Sequence, residues 1–209
     1  MSGLERLGIR PGIVYEAITT TYTPDKTPHA AAMGVQLSPT DVIVLRPFKT
    51  SQTYRNISLH RQAVVNLTSN PEHFYKAVFS AGLSYREARV VEAPALADVW
   101  GWVEVRAEGF QPLGPLREAV LCRVVHVEER RLDPTPYTRA AHALIESLIH
   151  YTRIKVFANT EHHQEAVRLA ELVYHYSGLV ERVAPRSRYA DMMDHVVKEV
   201  RRLVRVCEG

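Results

Sequence analysis

The apolar pattern of this chain changes period once, and that change constrains the fold more than any other feature. Up to about residue 130, apolar and β-branched residues come in short, partly alternating runs; from Pro136 onward they recur every three or four positions. Residues 13–21, 30–37, 42–45, 64–67, 100–106 and 121–127 read as strands, with turns at Pro24-Asp25-Lys26 and Ser38-Pro39-Thr40. Six short strands between turn signals suit a small antiparallel barrel. Two short helices interrupt them. One runs over 52–59; the other reaches to Gly82, with Asn70 as N-cap and Pro71 at the first helical position. Beyond the barrel, three stripes predict three helices. They are Ala141, Leu144, Ile145, Leu148 and Ile149; Ala166, Leu169, Ala170 and Val173, closed by Gly178; and Met193, Val196, Val197, Val200 and Val204. The proline-broken run Leu132-Asp133-Pro134-Thr135-Pro136 separates them, so the expected division is a barrel domain over 1–132 and a helical subdomain over 136–209.

Composition narrows the class. At 46% hydrophobic and 23% charged, 209 residues make an ordinary globular chain. No apolar run approaches a membrane span, and residues 1–6 lack the apolar core of a signal peptide. Cys122 and Cys207 are far apart in sequence and read as reduced, which suggests a cytoplasmic protein. The net charge of +3 accommodates an anionic ligand without demanding nucleic acid. There is no G-x-G-x-x-G after a strand, no G-x-S-x-G elbow and no Walker A loop.

The stretch "RPFKTSQTYRN", 46–56, carries the chemistry. It follows the strand ending at Leu45 and offers the cations Arg46 and Lys49 with the small polar side chains Thr50, Ser51, Thr53 and Asn56. With Thr50 or Ser51 as N-cap, the helix beginning near Gln52 points unpaired N–H groups and the positive end of its dipole at this segment, a site suited to phosphate. Capping of a surface helix with two solvated cations explains the same residues and is the commoner use of such a pattern.

A resemblance adds to this reading. Thr27-Pro28-His29-Ala30-Ala31-Ala32-Met33-Gly34 resembles the "N-A-A-P-M-G" segment of FMN-binding split barrels, in which small residues let the backbone lie against the isoalloxazine ring. Residues 48–56 resemble the phosphate segment that follows it, and 63–67, with Asn66, the next strand. Residues 139–153 resemble a helix "R-x-x-x-A-x-I-E-x-x-I-H-x-T-R" of a mostly archaeal family of unknown function. Its members are similar to split barrels of the flavin reductase-like and pyridoxamine phosphate oxidase-like superfamily and carry an added helical C-terminal part. The resemblance runs from about Pro11 to Arg153. This chain departs from it in having Ala32 where proline is frequent and His29 where asparagine is found.

The resemblance implies a six-stranded antiparallel split β-barrel of the FMN-binding type with a helical C-terminal subdomain. It implies FMN as cofactor, contacted by His29, Ala30, Ala31, Ala32, Arg46, Lys49, Thr50, Ser51, Thr53, Asn56, Asn66 and Arg153. It also implies a homodimer with the flavin cleft between subunits. Trp100 and Trp102, placed on one strand face, agree with the dimer as a large apolar load for one small barrel. His29, Tyr54 and His150 are the candidates for proton transfer. Arg139, His142, Glu146, His150 and Arg153 fall on one helical face, on which Glu146 is expected to favour cationic His150 and Arg153 to grip an anionic group. The same face also suits plain solvation. The histidine spacing lacks the H-E-x-x-H pattern, so no metal is expected. The expected function is an FMN-dependent oxidoreductase acting on a small metabolite or reduced cofactor; the alternative is a flavin-binding or interaction module without turnover.

Overall fold

The computed structural model describes residues 3–40, 42–130 and 138–205, apart from the side chain of Arg205. In chain order the elements are α1 (Gly3–Arg6), β1 (Val14–Tyr22), β2 (Pro28–Leu37), β3 (Val42–Leu45), α2 (Gln52–His60), β4 (Gln62–Leu67), α3 (Pro71–Phe79), β5 (Tyr85–Glu87), β6 (Pro94–Leu96), β7 (Gly101–Leu113), β8 (Arg117–Glu129), α4 (Arg139–Phe157), α5 (His163–Val183) and α6 (Arg188–Arg205). They fall into two compact units, Met1–Ser69 with Phe79–Asp133 and Asn70–Val78 with Pro134–Gly209. The linker at 132–136 and Cys207 lie outside the described residues. Among the described residues no helix is long and apolar enough to cross a membrane.

The first unit is a closed antiparallel barrel in the order β1-β2-β3-β8-β7-β4. Ring closure comes from β1, in which Ile18 faces Ala32 of β2 on one side and Asn66 of β4 on the other. The interior is filled by alternate strand residues, among them Ala17, Val35, Ile43, Val65, Val103 and Val120. Met33, Val35 and Leu37 point into this core, so by strand alternation Ala30, Ala32 and Gly34 face outward. Cys122 is buried there as a free thiol, its pKa pushed up to about 12 by burial. One end of the barrel is packed by Leu4, Leu7 and Ile9 around α1, a contribution too short to show a period in the sequence.

Two buried polar side chains fix the outer layer. The Asn66 amide donates to Ile18 O and Thr20 Oγ1, both at 2.9 Å, and accepts from Leu96 N at 2.8 Å, so it joins β1, β4 and the β5–β6 ribbon. Glu104 is fully buried and accepts from Arg89 N, Val90 N, Val91 N and the Trp102 indole. Burial pushes its carboxyl pKa up, but these bonds outweigh it and hold the group below the usual carboxylate value.

The structure corrects several expectations. β7 and β8 are thirteen residues each, about twice the lengths expected: β7 runs on past its pairing with β4, which ends at Arg106, and the first three residues of β8 precede its pairing with β3. Trp100 precedes β7 and is 40% exposed, whereas Trp102 is 1% exposed and covered by Arg86, whose guanidinium lies 5.3 Å from its ring centroid. The two indoles therefore do not form a shared apolar load. α3 stops at Phe79 rather than Gly82, because Ser80 adopts a left-handed φ of 55°.

The second unit holds α4, α5, α6 and residues 70–78. Its core is built from Leu144, Leu148 and Ile154 of α4, Leu169 and Val173 of α5, and Val196 and Val200 of α6. Residues of α3 bind α6 through a Glu72–Arg188 ion pair and a Tyr75–His195 hydrogen bond. α5 does not end at Gly178 but runs on to Val183. Gly178 is exposed, and a Cβ added there meets nothing within 4 Å. Glycine within a helix costs about 0.5–1 kcal/mol relative to alanine, so Gly178→Ala should raise the unfolding free energy by that amount in a denaturant titration. A decrease would show that the position serves a close contact.

Candidate functional site

The segment after β3 is built as a capped helix start. Ser51 is the N-cap of α2: its Oγ accepts from Tyr54 N at 3.1 Å and donates to Phe48 O at 2.7 Å. Arg55 N reaches Ser51 O at 3.3 Å, and the N–H groups of Gln52 and Thr53 in the first turn have no partner among the described residues. At its other end α2 closes on Arg61, a non-glycine residue at φ 56° whose N–H bonds Ile57 O.

The expected donors divide into two sets. Thr53 and Asn56 turn inward, where they seal the barrel end beside Ile57, and each is 1% exposed. Thr53 Oγ1 lies 3.1 Å from His29 Nε2; Asn56 donates to Thr21 Oγ1 at 2.9 Å and accepts from Gln52 at 2.7 Å. Ser51 is consumed by the cap, and Asn66 by the sheet. Facing outward are Arg46, Lys49, the exposed Thr50 and one residue missing from the sequence reading, Arg55.

Each of these cations is held by neutral oxygens only. Arg46 donates to Gln36 Oε1, Lys49 to Gly114 O at 3.3 Å, and Arg55 to Thr50 O and Gln52 Oε1, both at 2.9 Å. None of the three makes an ion pair among the described residues. Three positive charges thus remain uncompensated beside two open N–H groups. Arg55 was detectable as a cation one turn into a helix whose start suits an anion.

The His29–Thr53 bond sets the start of β2 beside this turn. By strand alternation Ala30, Ala32 and Gly34 share the outer face of β2, where Ala30 is buried and Ala32 and Gly34 are half-buried, with the Val14 side chain close over Gly34; Ala31 and His29 lie on the other face and are also half-buried. Burial, with a smaller push from Arg55, holds His29 below the usual imidazole pKa, so it stays neutral. The Tyr54 hydroxyl donates to Glu118 Oε2 at 2.7 Å, which raises its pKa. The donor set suits one phosphate monoester.

His150 and Arg153 belong to the helical unit. The polar face expected on α4 is interrupted there: His142 and Glu146 are exposed, whereas His150 is 9% exposed and stacks on Tyr176 with centroids 6.1 Å apart. Its Nδ1 has no hydrogen-bond partner among the described residues. The expectation of a cationic His150 is overturned: burial outweighs the pull of Glu146, Arg153 adds to the burial, and the pKa is lowered.

The family model described as "Protein of unknown function (DUF447) N-terminal domain" matches residues 15–151. The chain belongs to this family. The match covers the barrel and ends within α4. No curated protein matches the sequence. Among solved structures, an FMN-bound DUF447 protein of Methanosarcina mazei is similar over 94% of this chain and 99% of its own, with 20% identity and a TM-score of 0.72. Component B of nitrilotriacetate monooxygenase from Mycobacterium thermoresistibile is similar over 59% of this chain and 72% of its own, at 17% identity and TM-score 0.51. The 2-nitrobenzoate 2-nitroreductase of Pseudomonas fluorescens is similar over 62% and 73%, at 14% identity and TM-score 0.50. These likenesses give the fold, a six-stranded split barrel followed in this chain by helices.

The depressed histidines set a pH dependence. For His29 and His150 the folded pKa lies below the ordinary 6.5, so below that pH the unfolded chain binds more protons. Their contribution to stability is complete above about pH 6.5 and is lost as pH falls toward their folded values. Melting temperatures should drop between pH 8 and pH 5, and His150→Phe should make the drop smaller. Equal drops in both proteins would show that His150 is not held neutral.

Proposed function

We propose that this chain is an FMN-binding flavoprotein that acts as an oxidoreductase on a small metabolite or a reduced cofactor. The observation that carries the reading is the cluster of Arg46, Lys49 and Arg55, without carboxylate partners, around the open first turn of α2. A phosphate placed there receives the Gln52 and Thr53 N–H groups, the Thr50 hydroxyl and the three cations. The donors suffice for one phosphate, and among the described residues no second such donor set adjoins it, which favours FMN over FAD. The FMN-bound relative of the same family supports the choice.

When bound, FMN would supply the redox chemistry, and the chain would supply grip, orientation and exclusion of water. The small, half-buried Ala32 would let a ring approach the strand backbone. Neutral His29 holds Thr53 and with it the inner side of the α2 start. Arg153, on α4, offers a two-pronged grip for a carboxylate or phosphate of a substrate. The reading includes a cytoplasmic location and a homodimer, for which the exposed Trp100, Ile13 and Val14 are apolar surface in search of cover. Flavin binding without turnover is the second reading. It is favoured by the state of the proton-handling candidates in the barrel: Tyr54 is raised and engaged by Glu118, and His29 is bonded to Thr53.

Titration with FMN, riboflavin and FAD, followed by flavin fluorescence, tests the grip. FMN should bind tightest, and Lys49→Ala and Arg55→Ala should each weaken FMN by about tenfold or more while leaving riboflavin unchanged. Equal affinity for FMN and riboflavin, or no flavin binding, overturns the site. Anaerobic bleaching by NADH or NADPH then separates turnover from storage. In sedimentation, the loaded protein should run as a dimer; a flavin-loaded monomer at micromolar concentration excludes the shared cleft.

A further inference from the structure

The anion-binding segment is not held in place by its own helix alone. β8 pairs with β3 only from Val120 to Arg123, so residues 117–119, and the part of β7 opposite them, extend past β3 as a two-stranded hairpin. That hairpin does not stand free but packs on residues 46–54, with an antiparallel bridge between Phe48 and Arg117. Lys49 N donates to Leu116 O at 3.0 Å, and Glu118 N donates to Pro47 O at 3.3 Å. Arg117 donates to Arg46 O at 3.4 Å and lies 4.0 Å over the Phe48 ring. Glu118 accepts from the Tyr54 hydroxyl, and the Tyr54 ring meets Phe110 of β7 edge-on at 6.1 Å. Arg46, Lys49 and Tyr54 are therefore tied directly to a hairpin some 65 residues away, and Thr50, Thr53 and Arg55 through a chain neighbour.

Tyr54 is the third residue of α2, and its own N–H is the one the Ser51 cap takes. A pull on the Tyr54 side chain acts on the turn whose N–H groups are open. The bond from Glu118 is made by a carboxylate, so it is shorter and stronger than a neutral one. Glu118 touches none of the candidate donors; it reaches the site through Tyr54.

We propose that Glu118 is a positioning residue for the phosphate site, and that the β7–β8 hairpin sets the angle at which the first turn of α2 meets the phosphate. This rests on the FMN reading above. The hairpin tip has Gly114 at φ 74°, a backbone state that lets the turn put its carbonyl against Lys49. Anything that shifts the tip would shift the anion affinity by the same coupling, and the anion would shift the tip in return.

The test is the ratio of riboflavin to FMN dissociation constants, which isolates the phosphate, measured beside the melting temperature. Glu118→Gln keeps an acceptor for Tyr54 and should leave the ratio within about threefold of the native value. Glu118→Ala and Tyr54→Phe should each lower it by about tenfold, the range of one charge-assisted hydrogen bond, with no further loss when combined. A merely structural Glu118 would lower the melting temperature, or both flavin affinities together, and leave the ratio intact; that result overturns the proposal while the FMN reading stands. Native protein with a ratio near one, or with no affinity for FMN, overturns both.

Discussion

The packing of α2 across one end of the barrel is the constraint on which the site depends. Ile57 is fully buried in the barrel core, and its neighbours Thr53 and Asn56 enter the interior only because His29 and Thr21 satisfy them. Leaving either polar group unpaired there would cost about 1–3 kcal/mol. The inward face of the helix is thereby fixed in rotation, and the same rotation decides which residues remain outside. Lys49, Thr50 and Arg55 are available to a ligand because 53, 56 and 57 are not.

The electrostatics follow from that division. The barrel meets its need for buried charge with acceptors it supplies itself: Glu104 is surrounded by four N–H donors and stays ionised. The α2 segment does the reverse, leaving cations against neutral oxygens next to a helix dipole of the same sign. A cluster of that kind is unfavourable unless an anion is drawn to it. Burial works on the histidines in the opposite sense, holding His29 and His150 neutral even where Glu146 stands one turn from the latter. For His150, spacing along a helix predicted the partner but not the outcome, because desolvation depends on what the rest of the unit places around the ring.

Much of the architecture was legible in the residues. The switch from alternating runs to helical stripes, the strands at Val42–Leu45 and in the β1–β2 hairpin, and the start of the helix at Gln52 all follow from local pattern and capping chemistry. The site was legible as a segment and only partly as a set of side chains. Ser51 and Asn66 looked like ligands because hydroxyls and amides suit phosphate, yet one is needed by the helix start and the other ties its own strand to β1 and β6. Ala30, Ala31 and Ala32 looked like one surface, but a strand deals consecutive residues to opposite faces.

Sequence by itself determined where the chain alternates, where it coils, and that one short segment concentrates positive charge before a helix. These are properties of residues within a few positions of one another, set by backbone sterics, capping and the period of apolar burial. Tertiary structure alone decided which of those residues turn inward and which stay outside. It also decided that β7 and β8 outrun the barrel, and that Glu118 reaches across 64 residues to hold Tyr54. Such contacts join groups whose meeting depends on strand order and register, and no local pattern encodes a partner that distant.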